Sequence, residues 1–314
     1  MADGAVQPHC NDRTAAQVAE DGLHRLAVGE VTRAHDLDKS GFMSEHVDPG
    51  RPVVLSELTG DWPARHWSLD HLKSVAGHRE VPVYDSRPAR DRQHQHAAAH
   101  TLRLSDYLTR LEHGEKDLRM FFYNLLAHAP ELAADVRWPD MGLRLFRKLP
   151  VLFVGGRGAR VQMHFDIDLA DNLLCHFGGR KRVLLIPPEQ TPLMYRVPYS
   201  FSSLFDVDFV NPDFERFPAL AGLGGQLATL EHGDVLYIPS GWWHFVVYDD
   251  IGFSISLRAF PRRWADRARM LGNIIGVRNI DALGRRLLGE RWNARNEAAA
   301  VTRTEQVWAR MQPS

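Results

Sequence analysis

Cysteine is almost missing from this chain. Only Cys10 and Cys175 occur among 314 residues, in unrelated contexts, which excludes a disulfide framework and fits a reducing compartment. A charge of one sign is missing too. Lys and Arg number 38 against 39 Asp and Glu, a formal net charge of -1, so nothing draws the whole molecule toward nucleic acid or an anionic membrane. No apolar run reaches the roughly 18 residues a membrane span needs. The start, MADGAVQPHCNDRT, has neither the basic nor the apolar region of a secretory signal. The expectation is a cytoplasmic protein without a membrane partner. What is present is ordinary for a folded protein, with 44% hydrophobic and 25% charged residues, in a chain long enough for one large core with appendages.

Four stretches differ in pattern. Residues 1 to 45 are mixed and polar, an arm with one helix expected around Ala15 to Val28. Residues 46 to 148 read as α+β. PVVLSEL and VPVYD are β-like, SLDHLKSVAG has Ser68 as a helix cap and Gly77 as a stop, and SDYLTRLEHG repeats that pattern from Ser105 to Gly114. From residue 149 to 261 eight short β-like runs follow closely, each bounded by Gly, Pro, Asp or Asn, which predicts a barrel or two-sheet jelly roll. Between Thr191 and Leu223 the strand signal lapses into an insertion rich in Pro and Phe, the length of a functional lid. Residues 262 to 314 read as helices with an apolar stripe that includes Trp264, Leu271, Ile274, Ile275, Leu283 and Leu287. That segment carries eleven Arg and no Lys against five acids. A solvated helix face accounts for the arginines, with a surface for RNA or an acidic partner as the alternative. The stripe is read as a homodimer contact.

The chemistry is concentrated in His164, Asp166 and His244. On a strand alternate side chains share a face, so His164 and Asp166 project together while Phe165 points away. His244 follows 80 residues later in GDVLYIPSGWWH, where a turn and a strand place it at a barrel mouth. Two His and one carboxylate close one triangular face of an octahedral metal and leave three positions open, the arrangement of non-haem Fe(II) oxygenases. A second cluster, His94, His96 and His100, lacks apolar periodicity and reads as a solvated loop. Lys181 in GGRKRVLLIPP has two readings. On the outer face it is ordinary, whereas inside the barrel it requires an anionic ligand.

These residues resemble the JmjC or cupin-like (cupin_8) 2-oxoglutarate oxygenases, in particular members that hydroxylate asparaginyl side chains or the tRNA nucleoside wybutosine. The similarity is densest in HFDIDLADNLLCHFGGRKRVLLIPPEQTPLMY, VNPDFERFP and GDVLYIPSGWWH, and it spans roughly residues 50 to 260. The resemblance implies a double-stranded β-helix core with His164, Asp166 and His244 as iron ligands. It makes Lys181 the partner of the distal carboxylate of 2-oxoglutarate and Asn172 a lining residue, with O₂ as the oxidant. There are departures. Two extra residues stand between Asp166 and Asn172, Val161 and Phe121 replace two hydroxyl donors, and Arg258 replaces an asparagine. Arg258 or His176 is expected to supply the missing anion binding. The implied activity is hydroxylation of a protein or peptide side chain, with succinate and CO₂ as coproducts. The alternatives are hydroxylation of a modified nucleoside in RNA and a metal-binding cupin module without 2-oxoglutarate turnover.

Overall fold

The computed structural model describes residues 23, 25–85, 98–116 and 118–312. Two sheets dominate it. The five-stranded sheet has the order β1 (Ala27–Glu30), β11 (Gly224–Leu230), β10 (Lys181–Ile186), β13 (Trp243–Tyr248) and β8 (Arg160–His164). The seven-stranded sheet has the order β2 (Arg33–Ala34), β3 (Val53–Leu55), β12 (Val235–Ile238), β9 (Asp171–Phe177), β14 (Gly252–Ala259), β7 (Val151–Gly155) and β6 (Arg119–Asn124). A separate pair joins β4 (Glu80–Val83) to β5 (His100–Arg103). From β7 to β10, and again from β11 to β14, the chain passes between the two large sheets, so the jelly roll expected from the sequence is the fold observed.

Three apolar layers follow from the two-residue period of the strands. Leu173, Cys175, Phe177, Ile255 and Leu257 face out of the seven-stranded sheet onto Phe42, Leu72 and Tyr107 of the amino-terminal part. Leu174, Val183, Leu185, Leu236 and Val246 lie between the sheets. Leu184, Ile186, Trp243, Phe245 and Val247 face out of the five-stranded sheet. The 191–223 insertion covers them. Its Tyr195, Phe209 and Phe217 are buried there, and the carboxy-terminal Trp308 packs behind it.

Helix α1 (Leu69–Ala76) starts as expected, with the Ser68 side chain accepting from the His71 amide at 3.1 Å. Helix α2 (Leu104–Glu112) does not, because its N-cap is Arg103, which leaves Ser105 inside the first turn. The helix expected to run to Val28 is also corrected at its end. Ala27 and Val28 pair in parallel with Gly224 and Gly225, because the edge of the five-stranded sheet offers free backbone groups that a strand satisfies. The carboxy-terminal part comprises α3 (Trp264–Leu271), a π-helical turn (Gly272–Val277), α4 (Arg278–Leu288) and α5 (Glu290–Met311). Among the described residues no helix is long and apolar enough to cross a membrane.

Candidate metal and cosubstrate site

The space between the sheets is apolar at one part and polar at another. Because Val183 and Leu185 point into it, so does Lys181, two residues earlier on the same strand. By the same period Asn172 and His176 of β9 and Ser254, Ser256 and Arg258 of β14 line the opposite wall, since their neighbours Leu173, Cys175, Phe253, Ile255 and Leu257 face outward. All six of these polar side chains belong to buried residues.

His164 reaches this space through an irregularity. Strand β8 pairs with β13 as His164 with His244 and as Val161 with Val246, with the register shifting between them. The bulge lets Val161 and His164 both face inward at a spacing of three, while Met163 and Phe165 pack on the outer layer. It also turns the Gln162 carbonyl to accept from His164 Nδ1 at 2.7 Å. His244 is held likewise, by the Trp242 carbonyl at 3.2 Å. A carbonyl can only accept, so both rings carry their hydrogen on Nδ1 and present a bare Nε2. Strand β13 is anchored on both sides. Trp242 donates to the Gly50 carbonyl at 3.1 Å and Trp243 to Thr191 Oγ1 at 2.9 Å.

The imidazole centroids lie 4.2 Å apart, and ligand atoms of His164, Asp166 and His244 fall within 4.8 Å of one another. Burial, followed by the neighbouring His244, lowers the pKa of His164 to about 3, so its ring is neutral at ordinary pH. Burial pushes the Asp166 carboxyl up, but Arg258 and the two imidazoles outweigh this and hold it below its usual range. Two imidazole nitrogens and one carboxylate, close enough to share one ion, suit a divalent transition metal. Among the described residues these three form the only such group. Of the histidine tract, His94 and His96 lie outside the described residues, and His100 is exposed on β5.

Arg258 lies against this group. Its Nη2 is 3.0 Å from Asp166 Oδ2, and its Nε donates to Asp168 Oδ2 at 2.9 Å. Lys181 lies against a different set. Its Nζ donates to Ser254 Oγ at 2.7 Å and sits 4.4 Å from the centre of the Tyr248 ring. Among the described residues no carboxylate pairs with it, and burial lowers its pKa to about 7. His176 continues the chain from Ser254, with Nδ1 3.0 Å from Ser254 Oγ and Nε2 3.2 Å from the Gly179 carbonyl. Nε2 therefore carries the hydrogen, Ser254 donates to Nδ1, and Ser254 Oγ accepts from Lys181. Ser256 donates to Asn172 Oδ1 at 2.7 Å, and among the described residues no acceptor takes the Asn172 amide hydrogens. Val161 packs among the interior apolar groups, and Phe121 lies tilted against Tyr84 with the ring centroids 4.2 Å apart.

Three of these residues were missed in the sequence. Ser254 and Ser256 alternate with Arg258 in FSISLRAF, a polar period of two that marks a lined face. Asp168 repeats the Asp166 spacing by two, but nothing local ties it to Arg258.

A sequence profile described as Cupin-like domain matches residues 39–260. HSPB1-associated protein 1 of Homo sapiens is 30% identical over 235 residues, 62% of this chain and 45% of that protein. Lysine-specific demethylase 8 of Danio rerio is 30% identical over 240 residues, 72% of this chain and 57% of that protein. tRNA wybutosine-synthesizing protein 5 of Gallus gallus is 28% identical over 265 residues, 78% of this chain and 82% of that protein. The chain thus spans about half the length of the first two.

Proposed function

Because this chain belongs to the Cupin-like domain family, with the JmjC-type 2-oxoglutarate oxygenases among its relatives, we propose that it is an Fe(II)- and 2-oxoglutarate-dependent dioxygenase hydroxylating a side chain of a protein or peptide. The observation that carries the reading is a donor set and an interior cation without a carboxylate partner that face the same space between the sheets. His164, Asp166 and His244 share a focus, and buried Lys181 lacks a carboxylate partner among the described residues. A buried ammonium without an anion is costly, and a dicarboxylate cosubstrate removes that cost.

His164, Asp166 and His244 would hold iron(II), which supplies the oxidative decarboxylation of 2-oxoglutarate that consumes O₂ and delivers one oxygen atom to a substrate C–H bond. Lys181 binds the far carboxylate with the two N–H groups that Ser254 leaves free. His176 acts through Ser254, orienting the hydroxyl that fixes the ammonium, and Asn172 offers its amide hydrogens from the same wall. Val161 adds no hydroxyl and keeps water out of that pocket. The insertion closes the other side of the donor set, with Phe165 N donating to the Phe201 carbonyl at 3.0 Å and Ser203 N to the Met163 carbonyl at 3.0 Å.

In this scheme residues 149 to 261 are the catalytic unit, 46 to 148 its support, and 262 to 314 a dimerisation element. A cytoplasmic site of action is part of the proposal, supported by the free, buried Cys175. A nucleoside in RNA is the second reading. It is favoured by the coverage of the tRNA-modifying relative and by exposed Arg291, Arg295, Arg303 and Arg310 on α5. The test is to incubate the protein with Fe(II), 2-oxoglutarate, O₂ and either a peptide pool or total tRNA, and to look for products heavier by one oxygen atom. The expected result is such a product among peptides. Products confined to the tRNA would select the second reading, and no product with either would leave the cupin module without turnover.

A further inference from the structure

Two departures from the family pattern meet in space beside the metal ligands. The segment between Asp166 and Asn172 is longer by two residues, and Arg258 stands in place of an asparagine. The longer segment delivers Asp168, whose carboxylate takes Nε of Arg258 at 2.9 Å and also its Nη2. The same Nη2 reaches Asp166 Oδ2 at 3.0 Å. The guanidinium plane is rigid, so an Arg gripped along one edge is fixed in orientation as well as in charge. Both the Arg258 and Asp166 side chains are largely enclosed, at 6% and 18% exposure.

The segment carrying Asp168 is itself pinned from several sides. Asp168 Oδ1 accepts from the Ala170 amide at 3.3 Å, and the Leu169 amide donates to the Asp166 carbonyl at 3.0 Å. Leu169 takes a φ of 47°, a left-handed conformation that is unfavourable for a non-glycine residue. Its carbonyl accepts from Ser240 Oγ at 2.6 Å. From the carboxy-terminal part, Asn273 Nδ2 donates to the Ile167 carbonyl at 3.1 Å. A strained turn held by partners from two other parts of the chain is the mark of a position that is over-determined.

We propose that Arg258, gripped by Asp168, is a positioning residue that holds Oδ2 of Asp166 away from the metal, so that Asp166 donates through one oxygen only. This rests on the metal reading above and adds to it. Without the grip, the Asp166 carboxylate can turn to offer both oxygens, and Asp168 becomes free to join as a further ligand. Either change fills positions that cosubstrate and O₂ require. The two halves of the device therefore act with opposite signs on metal affinity. Loss of Arg258 removes a positive charge from beside a dication and releases two carboxylates, which tightens binding. Loss of the Asp168 charge leaves Arg258 paired with Asp166 alone and weakens the ligand.

The test uses Co(II) as probe with the full chain, reading affinity by titration and the ligand set by visible d–d absorption. Arg258→Asn should bind Co(II) about tenfold more tightly and shift the d–d bands as carboxylate oxygen replaces water, and Asp168→Asn should bind about tenfold more weakly. The double variant should lie between them. Shifts in the same direction, or unchanged affinity and spectrum, would reduce the pair to a structural ion pair and overturn the proposal. Asp168→Asn is nearly isosteric and partly exposed, so it carries the test alone if Arg258→Asn does not fold. Failure of the unsubstituted protein to take up Co(II) would instead overturn the metal reading, and this proposal with it.

Discussion

Lys181 sets the pH behaviour of the molecule. Burial lowers its pKa from 10.5 to about 7. Between those values the folded protein holds a neutral amine while the unfolded chain holds an ammonium, so the unfolded state binds more protons. Stability must then rise with pH across that window, by about 1.4 kcal/mol per pH unit from this residue. Denaturant unfolding of the ligand-free protein between pH 7 and 9 should show this slope, and Lys181→Met should flatten it by about one proton. In the proposed reaction, binding of 2-oxoglutarate would restore the charge and take up a proton, so affinity should fall about tenfold per unit above pH 7. Equal pH slopes in the two proteins would contradict this placement of the charge. The inward direction of Lys181 was not legible in the sequence. Both faces of β10 are buried, so Val183 and Leu185 look no different from Leu184 and Ile186. His164, Asp166 and His244 were legible because a short ligand pair and a distant third histidine sit in recognisable runs. Asp168 was not, since its partner lies ninety residues away.

At the scale of elements, the strands were easier to read than the pieces that join them. The eight β-like runs after residue 149 have their apolar residues and their turn formers in register with the strands that form. The bulge at Gln162 has no composition signal, yet it turns His164 inward and supplies the carbonyl that fixes its ring. The insertion reads as a lid, but its Tyr195, Phe209 and Phe217 are buried against the five-stranded sheet, and Trp308 packs so closely that a Cβ on Gly222 would lie 2.5 Å from its ring. The carboxy-terminal helices show the converse. Their apolar stripe was legible and remains uncovered, with Trp264 80%, Leu283 56% and Leu287 70% exposed. Patches of this kind mark association surfaces, and we propose that a second copy of the chain covers it. Light scattering should give the mass of a dimer for the unsubstituted protein and of a monomer for Leu283→Arg combined with Leu287→Arg. A monomer from the outset would contradict it.

For the whole molecule, the sheets form a frame around a site whose charges would nearly cancel once it is loaded and Lys181 is protonated. Asp166 and Asp168 offset Arg258 and Lys181, and a dication would be matched by a dicarboxylate, so the loaded site would be close to neutral inside a buried space. That balance links the two halves of the account, because the metal and 2-oxoglutarate each make the other less costly to bury. The most direct test is an anaerobic titration of the Fe(II)-loaded protein with 2-oxoglutarate, followed by the visible metal-to-ligand charge-transfer band that chelation produces. The account predicts a band that saturates at one equivalent and is absent in Asp166→Ala. No band in the unsubstituted protein, or an equal band in Asp166→Ala, would contradict it.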